Sequence, residues 1–134
     1  MFKRENGQSM VEVALTMPLL LLILMGILDL GRAYFTFVAL SDAAAEGATY
    51  AAIHPAEATE ITARAAGSSD GLVTLTPEMV SVAFDGTAAI DSSTITVTVQ
   101  YDYALLTPII QSMVPNGVIN MRAVVAQPVI INNQ

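Results

Sequence analysis

The sequence has no cysteine, no tryptophan, one histidine and only five basic residues among 134. Without cysteine there is no disulfide framework, no thiolate zinc site and no thiol nucleophile. The lone His54 leaves little for metal ligation or proton exchange. Twelve acidic residues against the five basic ones give a net charge of −7. No basic stripe exists to track phosphates, which excludes a nucleic-acid partner. Charged residues are also scarce, at 13%, against about 25% in an ordinary soluble chain. Hydrophobic residues reach 54%, too many for a disordered polypeptide. The length suits one compact domain.

The apolar excess is concentrated near the N-terminus. Val13 to Leu28 (VALTMPLLLLILMGIL) is a run of sixteen residues without a charge, and from Met10 only Glu12 interrupts it. A bilayer core of about 30 Å takes roughly 17–25 helical residues. Residues 10–28 therefore read as a single membrane span. Lys3 and Arg4 precede it, while Asp29, Asp42 and Glu46 follow, opposed only by Arg32. That asymmetry predicts a cytoplasmic N-terminus and an exported remainder. No small-x-small site follows the run, since Asp29-Leu30-Gly31-Arg32 comes next. A retained anchor is expected rather than a removed secretory signal.

The helical pattern continues beyond the span. Ala33, Tyr34, Phe37, Val38, Leu40 and Ala44 keep a period near 3.6, and Ala43 to Ala52 is rich in the best helix former. The first firm stop is His54-Pro55, because a residue before proline is pushed out of the α region. A helix from about Ser9 to Ile53 would be about 67 Å long, more than twice the bilayer core. Its second half needs a cover other than lipid. Pro18 is expected to bend the helix or unwind it locally. Asp29 and Arg32, spaced i, i+3, can form a solvated ion pair on the helix surface at the outer boundary. Glu12 stands apart: a charge at the bilayer centre costs about 2.5–3.5 kcal/mol, and less near an end. Snorkelling to the interface would relieve that cost, as would a cation one helical turn away.

Gly7-Gln8-Ser9-Met10-Val11-Glu12 ahead of a long apolar helix resembles a class III prepilin leader. Met17-Pro18 before a leucine-rich run, Gly31-Arg32, and the segment DAAAEGATYAA at 42–52 together resemble TadE-like proteins. These are minor pilins or pseudopilins of tight-adherence (Tad) pilus systems. The threonine- and valine-rich segment before Leu105-Leu106-Thr107-Pro108 is similar to the family too. The resemblance implies that a prepilin peptidase cuts between Gly7 and Gln8 and that Glu12 becomes the fifth residue of the mature chain. Cutting there would remove Lys3 and Arg4 and create an α-ammonium at Gln8 that can pair with Glu12, in the same or a neighbouring subunit. Glu12 is thereby a candidate assembly residue. The implied partners are like subunits and other pilins, the prepilin peptidase, an inner-membrane pilus assembly platform, and membrane lipid before assembly.

Beyond the long helix, Pro55 to Arg64 predicts a second, short helix, with Glu57 and Glu60 early and Arg64 late. Gly67-Ser68-Ser69-Asp70-Gly71 reads as a loop. Three strands follow: Met79 to Phe84, with Val80, Val82 and Phe84 on one face; Thr94 to Tyr103, with Ile95, Val97, Val99 and Tyr101 on one face; and a stretch in which Ile119, Met121, Ala123 and Val125 alternate. Asp85-Gly86 is a turn signal between the first two. One-sided alternation predicts an antiparallel sheet covered on one face. The cover is the alanine-rich part of the first helix, through Ala44, Ala48, Tyr50 and Ala51. The fold class is thus α+β and pilin-like, with a helix at 8–53 and an exported α+β region at 54–134, and the resemblance implies a leader at 1–7.

Nothing in the inventory forms a catalytic constellation. Asp70, Asp85, Asp91 and Asp102 fall in turns and strands without metal-ligand spacing, and His54 lacks a placed partner. The chain is not expected to be an enzyme or to need a metal or cofactor. Two other readings stand beside the minor pilin: the main subunit of an extracellular filament, and a monomeric membrane-anchored binding domain.

Overall fold

A computed structural model describes residues 5–69, 71, 73–85 and 93–130. Lys3 and Arg4, Asp70, Gly86 of the turn signal, and Asp91 lie outside the described residues. The elements are α1 (Glu5–Ile53), α2 (Ala58–Gly67), β1 (Val80–Asp85), β2 (Thr94–Ala104), α3 (Pro108–Gln111) and β3 (Val118–Pro128), with 3-10 turns at Pro77–Met79 and Pro115–Gly117. The chain divides into two compact units. One comprises Met1–Arg32 and Ala104–Val118, the other Ala33–Tyr103 and Ile119–Gln134.

Helix α1 starts earlier than the sequence indicated, at Glu5, and ends where expected, at Ile53. It remains a continuous α-helix through Pro18. Its first half is apolar and uncovered: no residue of its most hydrophobic window is buried. A hydroxyl without a partner would be costly in lipid, but the exposed Thr16 hydroxyl donates to the Glu12 carbonyl at 2.7 Å. In the second half, Leu40, Ala43, Ala44, Ala48 and Ala51 are fully buried. Their spacing lays them along one stripe.

That stripe packs on a three-stranded antiparallel sheet of order β1-β2-β3. Strand β2 is the middle of the sheet and the centre of the core. Ile95, Val97 and Val99 are fully buried, Tyr101 packs at the edge of the cluster, and Gln100 and Asp102 are exposed. The β1–β2 register pairs Val80 with Val99 and Val82 with Val97. Phe84, expected on the covered face, is half exposed. In β3, Met121, Ala123 and Val125 meet the core while Ile119 is exposed.

Small side chains let the backbones come close. A Cβ added at Gly47 would lie 2.9 Å from the Ala65 Cβ and 3.2 Å from the Val97 Cγ1. Glycine is therefore needed where α1 crosses α2 and β2. The C-terminal end of α1 is closed by its own chain, the Ile130 amide donating to the Ala52 carbonyl at 2.8 Å. That carbonyl is one of those a helix end leaves without an intrahelical partner.

The second helix corrects the sequence reading: it begins at Ala58, three residues after Pro55, and runs to Gly67. His54, Pro55, Ala56 and Glu57 instead form a turn closed by the Glu57 amide donating to the His54 carbonyl at 3.2 Å. Proline at the second position of a β-turn is at its preferred dihedral, so the turn takes Pro55 before a helix can.

Candidate functional site

Four places carry the polar groups that sequence reasoning singled out or missed. The first is the start of α1. Gly7 and Gln8 both lie in the helix and are exposed. Glu12 is exposed one turn further on. Ser9, Glu12, Val13, Thr16, Met17 and Leu20 line a shallow depression along this helix face. Their i, i+3, i+4, i+7 spacing places them on one face of α1.

The second place is Asp29, which the sequence reading set on a solvated surface. The structure buries it to 3% exposure. Its Oδ1 accepts a hydrogen bond from the Leu106 amide at 3.0 Å, and its Oδ2 accepts one from the Thr107 amide at 2.9 Å. Asp29 lies just beyond residues 10–28, and its carboxyl is held below the usual value. The neighbouring Thr107 hydroxyl lowers it most, burial opposes, and the two amides and then the Arg32 charge lower it further. That hydroxyl is buried without a well-formed hydrogen bond of its own. Its influence is that of a nearby dipole, while the two short amide contacts fix the geometry. Thr107 itself is 1% exposed and precedes α3.

The third place joins the end of α1 to α2. The Tyr50 hydroxyl donates to Glu57 Oε2 at 2.6 Å. His54 stacks on the Tyr50 ring at 4.6 Å between centroids, and the Arg64 guanidinium lies 4.2 Å from that ring's centroid. Arg64 Nε also donates to Glu60 Oε1 at 3.4 Å. His54 thus serves as an aromatic face in a structural cluster. A raised Tyr50 pKa follows from its hydrogen bond to Glu57, then from desolvation.

The fourth place is a shallow depression on the polar face of the sheet. Glu78, Met79, Gln100, Tyr101, Asp102 and Asn120 line it. Asn120 Nδ2 donates to Asp102 Oδ1 at 2.7 Å. Among the described residues no group of three or more His, Asp or Glu is placed to hold a metal ion.

Comparison with known proteins finds a match along α1. Residues 7–49 match the family model of TadE-like proteins. No curated protein and no solved structure matches the chain. The matched stretch takes in Gly7, Gln8, Glu12, Asp29 and Arg32, all on α1, and leaves out the sheet. TadE-like pilins are structural rather than catalytic proteins. Through residues 7–49 the chain is thus similar to TadE-like proteins, which are pilin-like and associated with Tad pili, and that stretch lies on one N-terminal helix long and apolar enough to cross a membrane.

Proposed function

We propose that the chain is a minor pilin or pseudopilin that takes part in Tad-type pilus assembly by packing its N-terminal helix against like subunits and other pilins. The supporting observation is the uncovered first half of α1. It is apolar around its circumference, and no residue of its most hydrophobic window is buried. Lipid covers such a helix before assembly, and partner helices cover it afterwards.

The division of labour along the chain follows. A leader at 1–7 holds the precursor with its positive charges on the cytoplasmic side. The helix at 8–53 spans the membrane over about residues 10–28, and the α+β region at 54–134 is exported. A prepilin peptidase cuts between Gly7 and Gln8. The new α-ammonium at Gln8 then pairs with Glu12, spaced i, i+4 within one helix, or with a neighbour's Glu12. A carboxylate paired in this way costs less in an apolar surround and sets the axial register of packed helices. An inner-membrane assembly platform would collect the processed subunits.

Substitution Glu12→Ala in the native host tests the role of the carboxylate. The variant is expected to reach the membrane fraction at wild-type levels and to be depleted from sheared pilus material. Equal incorporation of variant and wild type would rule out Glu12 as an assembly residue. Electron microscopy of purified filaments, with peptide mapping of the dominant band, separates a minor component from the main filament subunit.

A further inference from the structure

The loop that grips Asp29 is itself unusually apolar. From Tyr103 to Met121 the chain contains no Asp, Glu, Lys or Arg, while Asp102 and Arg122 stand just outside this stretch. Within it, Leu106 is 61% exposed, Ile109 57% and Met113 80%. Surface side chains of this size in a charge-free segment need a partner.

The position of the loop identifies that partner. Asp29 holds the Leu106 and Thr107 amides, and Ile110 packs on α1 at Gly26, where an added Cβ would lie 3.7 Å from Ile110 Cδ1. Gly26 lies about 4.5 Å from Asp29 along the helix axis, toward the middle of the span. Helix α3 is thus fixed beside the last turn of the apolar run, where Leu24, Ile27 and Leu28 are exposed as well. All of these residues belong to the same compact unit.

Backbone at that depth is tolerated only if its polar groups are satisfied. The loop meets this condition largely by itself. The amides of Gln111, Ser112, Met113 and Val114 donate to the carbonyls of Thr107, Pro108, Ile110 and Gln111, and the Ser112 hydroxyl donates to the Ile109 carbonyl. Pro108 and Pro115 carry no amide hydrogen. Asp29 takes up two further amides.

We propose that residues 105–114 form an interfacial anchor, seated at the headgroup–acyl boundary of the leaflet at the Asp29 end of the span, with Leu106, Ile109 and Met113 in lipid. Such elements lie in the interface with their apolar face inserted. The proposal rests on the reading of α1 as a membrane span. It adds a second point of contact, outside α1, that fixes how deep that helix sits before assembly.

The absence of cysteine makes the test clean. Full-length chain carrying Ile109→Cys, Met113→Cys, Leu20→Cys or Ser81→Cys, each labelled with an environment-sensitive fluorophore, is placed in vesicles of phosphatidylcholine and phosphatidylglycerol. Quenching is then compared among lipid carrying a nitroxide high on the acyl chain, for 109 and 113, lipid carrying it near the chain end, for 20, and aqueous iodide. The proposal expects blue-shifted emission and nitroxide quenching at 109, 113 and 20, with iodide quenching at 81 only. Iodide quenching at 109 and 113 alongside nitroxide quenching at 20 would overturn the anchor and leave the span intact. Loss of nitroxide quenching at 20 would remove the span, and the anchor with it. If the probes at 109 and 113 were shielded from both quenchers even at low protein-to-lipid ratio, the occupant would be protein, and the lipid assignment would be wrong.

Discussion

The Thr107 amide donates to Asp29 Oδ2 at 2.9 Å across 78 positions of sequence, and the Leu106 amide beside it donates to Oδ1 at 3.0 Å. One carboxylate on α1 thereby fixes the start of α3. Amides buried without an acceptor carry the full penalty of desolvation. The contact therefore decides whether the 105–114 loop stays on the helix.

Asp29→Ala is expected to free that loop without unfolding the sheet. Hydrogen exchange of peptides covering 105–114 should accelerate markedly, while exchange in β2 stays at the wild-type rate. Asp29→Asn retains one acceptor oxygen and should fall between the two. Unchanged exchange at Leu106 and Thr107 in the alanine variant would contradict the clamp.

The same contact should respond to acid. Its carboxyl is lowered in the folded chain, mainly by the Thr107 hydroxyl and then, against desolvation, by the two amides and Arg32. A depressed acid stabilises the fold above its unfolded value, near 3.8, and that stability is lost as pH falls through the folded value. Amide resonances of Leu106 and Thr107 should hold constant at neutral and mildly acid pH. They should move together only below the usual carboxylate range, and in Asp29→Asn this transition should disappear.

Gly47→Ala should destabilise the sheet unit despite raising helix propensity. The gain is about 1 kcal/mol. The new methyl would meet the Ala65 Cβ at 2.9 Å and the Val97 Cγ1 at 3.2 Å, and overpacking of this kind costs about 1–3 kcal/mol. Thermal melts in detergent should show a lower Tm for Gly47→Ala. Gly67→Ala, where a Cβ has nothing within 4 Å, should melt at or slightly above wild type.

Tyr50→Phe keeps the ring that His54 and Arg64 contact and removes the 2.6 Å hydrogen bond to Glu57. A small drop in Tm is expected, and Tyr50→Ala should drop it further. The raised phenol pKa gives a stabilisation present below about 10 and lost as pH rises through the folded value. The Tm difference between wild type and Tyr50→Phe should therefore shrink in strong alkali.

Much of this fold could be read from local pattern. The stop at His54-Pro55, the alternation of Ile95, Val97 and Val99, and the alanine stripe at 43–52 each depend on neighbours within a few residues. The start of α2 is not legible in the sequence because Pro55 suits a β-turn as well as a first helical turn, and only the Glu57–His54 hydrogen bond decides between them. Gly47 was legible as a small residue but not as a crossing point, since Ala65 and Val97 reach it through tertiary packing. Asp29 was read with Arg32, its neighbour on the helix. Its acceptor role depends on Leu106 and Thr107, which no helical periodicity connects to it. Of the proposed assembly residues, Gly7, Gln8 and Glu12 fall inside the TadE-like match, and one measurement tests their chemistry directly.

That measurement is the intact mass and N-terminal sequence of the chain recovered from pili or membranes of its native host. The account predicts a polypeptide beginning at Gln8, lacking residues 1–7, in the assembled fraction. An assembled chain that still begins at Met1 would contradict it, because no ammonium would then stand one helical turn from Glu12.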